Sequence, residues 1–356
     1  MIKSLNKYLL LIIFILACSS GGNSSPTDSG GNNGGGDNGG GNNGGGDNTN
    51  PYELPNAVDY GLSNQVEIVT WNVRNFPQDS KSDNYVKALL EKWNADIYLL
   101  QEIDDSNGKP AILSIVNSMP NYSYIFDEQS QNLGFALIYK NDYVTYLSKN
   151  ELWHDTSNSS SDCNGDYLNC KLYMFAGRPP METYLTWTDG VKTINLYTIN
   201  VHYKARGDGV YNPNDLTHEA TRRHYSSLLL TDYLLSDRSN DNVVLVGDFN
   251  NIGAQNITNP ALSPFTDEDN FDSASSFKLT DLSILLGPKT GWSWQGWDSS
   301  YDESHFDHII INQPLFSYDE SSSVEVINLP NQVGISTTDL RESVSDHQPV
   351  IYRFYP

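Results

Sequence analysis

Short apolar runs that stop on a polar residue recur along this chain and predict its strands. Val66 to Asn72 (V-E-I-V-T-W-N) alternates and ends on an amide. Asp96 to Gln101 is a buried run with Glu102 directly after it, and Leu133 to Tyr139 is a third. Lys192 to Tyr203 alternates too, and period two sets Asn200, His202 and Lys204 on one face. Val243 to Val246 is wholly apolar and rich in β-branched residues, which predicts a strand buried on both faces. Gly247 ends it, and Asp248 and Asn250 follow, just past a strand end, where α/β proteins gather ligands and catalytic groups. Asp307 opens another apolar run, and Asp346 and His347 precede the last, which reaches Tyr352. Helical spacing marks Tyr85–Trp93, Ala111–Met119 and, with a Thr cap and an acidic first turn, Thr217–Leu235. Between these elements, 150–172 and 253–276 read as loops, and Leu279–Leu282 as a short packed element. Arg178 lies in F-A-G-R-P-P, where a guanidinium fixed beside prolines suits a phosphate.

The amino terminus changes the picture. Lys3 and Lys7 precede an apolar run, Leu9 to Ala17, that is too short to span a bilayer, so 1–17 reads as a secretion signal. Its end, I-L-A-C, resembles the bacterial lipoprotein signal; that resemblance implies cleavage before Cys18 and lipidation of Cys18. G-G-N-N-G-G-G-D-N at 30–38 repeats at 40–48, with no apolar surface to bury, so 18–60 reads as a flexible tether. The expected product is exported and lipid-anchored in a bacterial cell envelope, with one globular domain over 61–356 standing off a membrane surface. Cys163 and Cys170 are the remaining cysteines, and an even pair close together in an exported chain suggests a small disulfide loop.

The net charge is −23, and removing Lys3 and Lys7 with the leader takes it to −25. Passive nucleic-acid binding through a basic face is therefore disfavoured, whereas an enzyme that meets phosphate through a bound cation is not. Carboxylates and amides without a Cys or His cage suit Mg²⁺ or Mn²⁺. Two histidines with acid partners suit proton transfer. No G-x-S-x-G elbow or P-loop is present, which removes support from serine-hydrolase and NTPase readings.

Six segments in order carry a family resemblance: T-W-N-V-R at 70–74, L-Q-E at 100–102, N-V-H-Y-K at 200–204, V-G-D-F-N at 246–250, F-D-H-I at 306–309 and S-D-H-Q-P-V at 345–350. They resemble the endonuclease/exonuclease/phosphatase superfamily, the DNase I-like fold. The resemblance covers 66–355. It implies a four-layer α/β sandwich, with two mixed β-sheets face to face, helices outside and the site at one end of the sheets. It implies Asn72 and Glu102 as metal ligands, Asp346 as a second metal-site or structural carboxylate, and Mg²⁺ as cofactor with Mn²⁺ or Ca²⁺ as alternatives. Asp248 is implied to activate water, Asn250 to hold phosphate, Asp307 to pair with His347, and His202 to act beside them. Arg178, Asn200 and Lys204 are expected on the substrate. Arg178 in R-P-P, preceded by the Cys163–Cys170 loop, is similar to secreted nucleases. In one respect the chain departs from the pattern: the strand at 131–140 lacks the acid that pairs with the first histidine, so His202 is expected mainly on phosphate. The expected activity is an extracellular DNase I-like endonuclease acting as a monomer on DNA, without an evident protein partner. Two alternatives stay open: a sphingomyelinase- or inositol-phosphatase-like phosphoesterase, and a non-catalytic surface-binding lipoprotein. Trp292, Trp294 and Trp297 could serve a lipid surface, stack on a base, or pack.

Overall fold

The computed structural model describes Tyr52 and residues 54–128, 133–266, 276–296 and 302–356. The leader, Cys18, most of the tether and Trp297 lie outside the described residues. Among the described residues, twelve strands form two six-stranded sheets. One has the order β11 (Ser323–Val326), β12 (Val350–Phe354), β1 (Val66–Phe76), β2 (Ile97–Asp104), β4 (Leu133–Lys140), β3 (Tyr122–Phe126). The other runs β5 (Val144–Glu151), β6 (Met181–Thr188), β7 (Thr193–His202), β8 (Val243–Asp248), β10 (Asp307–Asn312), β9 (Phe277–Leu279). Each sheet is mixed, with one parallel pair at its middle: β1 with β2, and β7 with β8.

Strand alternation sorts the side chains into layers. In β1, Ile68 faces the space between the sheets, while Val69, Trp71 and Val73 face helices Ser82–Trp93 and Gly108–Asn117. In β8, Val244 and Val246 point between the sheets, and Val243 and Leu245 point toward helix Glu219–Asp237. Helices thus cover both outer faces, and the four-layer α/β architecture expected from the motifs is the one present. Fully burying side chains of this size contributes about 1.5–3 kcal/mol each, so the period-two pattern fixes the register.

Some local expectations are corrected. Leu54 and Tyr60, read as tether, are buried in the outer core. The long helix starts at Glu219, with His218 rather than Thr217 at its cap, and no side-chain capping bond forms. The aromatic β3 and the mixed β5 and β11 escape a reading based on aliphatic runs.

Candidate active site

Toward one end of the inter-sheet layer the apolar positions give way to polar ones. In β1 the inward series Ile68, Thr70, Asn72 ends on the amide; in β8, Val244, Val246, Asp248 ends on the carboxylate. Register then aligns the strands: Asp248 stands opposite both His202 and Asp307. Bulges finish the work. β1 and β2 slip register after Asn72 and Gln101, and Arg74, Asn75 and Glu102 adopt left-handed φ of 47°, 44° and 63°. Asn250 does the same at 44°. Such backbone costs on the order of 1–3 kcal/mol per residue and clusters where geometry serves chemistry. Gly247, at φ 137°, lies so close to the Val201 carbonyl that a Cβ would stand 2.0 Å from it.

The side chains converge on Asp248. Its Oδ2 accepts from Asn72 Nδ2 at 3.0 Å and lies 3.6 Å from His202 Nε2 and 3.8 Å from His347 Nε2. Glu102 Oε1 accepts from the same Asn72 nitrogen at 3.1 Å and lies 3.6 Å from His202 Nε2. On the far side His347 Nδ1 donates to Asp307 Oδ2 at 2.7 Å. The His347 loop is pinned to β1: Ser345 Oγ donates to the Asn72 carbonyl at 2.6 Å, and Trp71 Nε1 donates to the His347 carbonyl at 3.1 Å.

Over residues 69–347 the sequence matches the Endonuclease/Exonuclease/phosphatase family. The chain belongs to that family. Solved structures agree on the fold. Humanized D. rerio TDP2 superposes with a TM-score of 0.57 at 12% identity, covering 83% of this chain and 100% of that one. D. rerio TDP2 complexed with single strand DNA product gives 0.55 at 10%, over 82% and 99%. The Bacteroides vulgatus endonuclease/exonuclease/phosphatase gives 0.50 at 16%, over 82% and 98%. No curated protein matches by sequence.

In this family's terms the charges are divided between two histidines of opposite character. Burial, then Arg178, His347 and Lys204, push the His202 imidazole well below its ordinary value, so it is neutral. Among the described residues its Nδ1 has no hydrogen-bond partner. Burial also opposes charge on His347, but Asp307, Asp248 and Asp346 outweigh it and push that ring up to about 10. Burial raises Asp248 to about 7, with His347 opposing and Asp307 adding. A neutral imidazole, an imidazolium and a carboxyl poised near neutrality therefore share one cleft.

The donor set around Glu102 fits a hard divalent cation, because Glu102 Oε1 and Asp248 Oδ2 converge there. Asn72, expected as a ligand, is oriented otherwise. Its Oδ1 accepts from Arg74 N–H at 2.9 Å, so its nitrogen faces the carboxylates and bridges them. Asn200 leaves the substrate-facing set: it is buried, its Oδ1 accepts from Gln101 Nε2 at 2.7 Å, and its Nδ2 donates to the Leu100 carbonyl. It joins the two sheets beneath the site. Asp346, also expected at a metal, accepts from Trp294 Nε1 at 3.1 Å and pairs with Arg74 at 3.6 Å. Trp292 and Trp294 are buried, so of the three readings packing fits them. Arg178 donates Nη2 to the Tyr203 carbonyl at 2.7 Å, and the disulfide Cys163–Cys170 forms in the loop that delivers it. Lys204 is half-buried at the mouth of the cleft, with its ammonium on the Ala205 carbonyl.

Sequence reasoning missed a second cluster. Asp281, His305 and His308 have the donor types and closeness to hold a metal ion, and all three are fully buried. The tautomers argue for protons instead. Ser293 N–H points at His305 Nδ1, so Nε2 carries the ring proton and donates to Asp281 Oδ2 at 2.6 Å. A ligating histidine needs that nitrogen bare and usually donates through the other. His308 completes the network, with Nδ1 on the same carboxylate oxygen at 2.7 Å and Nε2 3.2 Å from Asn251. It also packs edge-on against Phe249, 5.6 Å between ring centres, behind the Asp248–Asn250 turn.

Proposed function

We propose that the chain is a divalent-cation-dependent phosphodiester hydrolase, exported and lipid-anchored, with DNA as its first substrate. The observation that carries the reading is Asp248, set between Glu102 and the Asp307–His347 pair. A hard cation held chiefly by Glu102 would supply positive charge to the phosphate oxygens. Asp248, near neutrality in its affinity for protons, takes a proton from water as the new O–P bond forms and the P–O ester bond breaks, and the departing oxygen takes a proton from solvent water. The His347 imidazolium, oriented by Asp307, offsets charge growing on the phosphoryl oxygens. Neutral His202 donates through Nε2 without adding a charge, and Arg178 adds one. Asn72 holds Glu102 and Asp248 in register.

DNA is favoured over lipid because Trp292 and Trp294 are buried rather than offered to a membrane. The single strand DNA product in the D. rerio TDP2 complex adds support for a nucleic acid on this fold. Lys3, Lys7, the Leu9–Ala17 run and Cys18 support export and acylation, and a disulfide suits an oxidising compartment. The deciding experiment incubates the purified full chain with plasmid DNA, sphingomyelin and inositol phosphates, each with Mg²⁺ and with chelator. DNA cleavage that chelator abolishes is expected; cleavage of sphingomyelin alone would replace DNA by lipid, and no turnover of any of the three would favour the binding lipoprotein. Uptake of labelled fatty acid by the wild type but not by Cys18→Ser tests the anchor.

A further inference from the structure

Five of the 21 lysines and arginines stand together beside the site: Arg178, Lys204, Arg206, Arg222 and Arg223. Three chain segments bring them there. Arg178 Nη2 reaches the Tyr203 carbonyl, Arg223 Nη1 reaches the carbonyls of Lys204 and Arg206 at 2.7 and 2.8 Å, and Arg222 Nε reaches the Tyr173 carbonyl at 3.1 Å. Arg222 also lies over the Tyr173 ring at 3.8 Å.

What sets the five apart is that they cluster, with Arg222 and Arg223 buried, and among the described residues no acid pairs with them. The chain has 44 acidic residues. Some other cations are paired, as Arg238 is with Glu182 and Lys149 with Glu128 and Glu151, and others stand singly on neutral groups, as Lys140 does on Asn94 and Arg341 on the Gly296 carbonyl. Among the described residues none of these five has a carboxylate within ion-pair distance; their hydrogen bonds go to carbonyls. Glu219 and Asp208 act on the cluster only at longer range. Arg222 is 6% and Arg223 1% exposed, and among the described residues Arg223 Nε and Nη2 and Arg178 Nε have no hydrogen-bond partner. Burying cations without a counter-charge is costly, and the cost shows. Burial pulls Arg178 and Arg223 down to about 10, and burial with the neighbouring cations pulls Lys204 down. An arriving anion would relieve that repulsion. The direction of the cluster is also informative: Arg178 lies in the field of Glu102 and Asp248, while Arg206 is exposed at the outer end.

We infer that Lys204, Arg206 and Arg222, continuing from Arg178, form a second anion subsite that takes a phosphate adjacent to the scissile one in a nucleic-acid strand. Arg223 is the positioning residue that holds the 204–206 turn in place. This rests on the proposed hydrolase reading and narrows it to substrates with more than one phosphate. The Arg222 guanidinium, stacked on Tyr173, is immobilised, whereas Lys204 and Arg206 hold no other segment and can turn to a ligand.

The test compares the thymidine dinucleotide TpT with its terminally phosphorylated forms, 5′ and 3′. Affinity is measured by calorimetry on the full chain with chelator present, and kcat/KM with Mg²⁺. Wild type should prefer one phosphorylated form by about tenfold, in the range of a charge-assisted hydrogen bond at a partly wet site. Lys204→Gln and Arg206→Gln should each shrink that ratio while circular dichroism stays unchanged. Equal affinity of wild type for all three ligands overturns the subsite, as does a loss in the variants that falls equally on TpT and its phosphorylated forms. Failure of the hydrolase reading looks different: the preference in binding survives while no dinucleotide is cleaved.

Discussion

Asp307→Asn is the sharpest probe of the site, because it removes one charge and little volume from a buried pair. The His347 ring is held near 10 instead of 6.5, and Asp307 is the largest of the influences raising it. At about 1.4 kcal/mol per tenfold in proton affinity, that corresponds to roughly 5 kcal/mol of preference for the imidazolium, an upper figure. With Asp307 neutral, burial is opposed only by Asp248 and Asp346, so the ring should give up its proton at a lower pH. If the imidazolium offsets charge in the transition state, kcat/KM at pH 7 should fall by about 10²–10⁴. The sign of the pH effect follows: activity that needs His347 protonated is lost as pH rises through its folded value. In wild type that alkaline limb should lie near 10; in Asp307→Asn it should move to lower pH. His347→Ala should cost about as much, and the double variant little more than either single one, since groups acting as a unit are not additive. The assay is kcat/KM from pH 5 to 11 on DNA for wild type, both singles and the double, with circular dichroism to check folding. An alkaline limb that stays put in Asp307→Asn, or losses that multiply in the double variant, would refute the paired role and leave Asp307 as a cap on β10.

Glu102→Gln keeps shape and removes the negative charge that would hold the cation; most turnover should be lost and partly restored by raising Mg²⁺ or Mn²⁺, and near-normal turnover at low metal would take Glu102 out of the site. Asp281→Asn should lower thermal stability by several degrees, since it leaves two buried histidines without their shared acceptor; a wild-type melting temperature that drops on chelation and recovers with Zn²⁺ alone would instead make the cluster a metal site. At the opposite end of the β1–β2 pair, Glu67 and Asp96 are buried together, and burial, then Asp96, push Glu67 up to about 9. A folded value raised above 4.5 favours folding at low pH and loses that contribution as pH rises from about 4.5 to 9, so Glu67→Gln should flatten the fall in melting temperature between pH 6 and 9; an unchanged slope would show that the pair shares no proton.

Much of the site was legible because strand ends announce themselves. The pattern of apolar residues broken by Asn72, Glu102, Asp248 and Asp307 follows from alternation, and alternation also sets which neighbours share the cleft. What stayed hidden depends on contacts that no period encodes. Asn200 shares its face with His202, yet its depth between the sheets gives its amide to Gln101 and Leu100. Asn72 carries an oxygen that suits a cation, but the bulge after it spends that oxygen on Arg74 N–H. Asp281 lies 24 residues before His305, and the pairing of β9 with β10 brings it to His305 and His308. Arg222 and Arg223 fall within the helix expected over Thr217–Leu235, and tertiary contact alone reveals that among the described residues no carboxylate pairs with them.

An acidic chain that handles phosphate must solve a problem of distribution rather than of total charge. Elsewhere on the surface several cations are neutralised locally, as in Lys87 with Glu91 or Arg353 with Glu325. Field from such pairs dies within a Debye length, about 8 Å at physiological salt. A cation left without a partner in a half-buried cleft is screened far less. The two parallel pairs, β1 with β2 and β7 with β8, both deliver their carboxyl ends to this cleft. One brings Glu102 and the other Asp248, and the loop after β7 then carries Lys204 and Arg206 out along the rim. The geometry therefore concentrates attraction for phosphate along one line from the reaction centre, and leaves the remaining surface repulsive. If that is the working principle, raising salt should weaken DNA binding less steeply than in a protein with a broad basic face. The slope of log affinity against log salt should correspond to about two phosphate contacts, falling by about one in Arg206→Gln. A steep slope that Arg206→Gln leaves unchanged would place the DNA contacts elsewhere on the molecule.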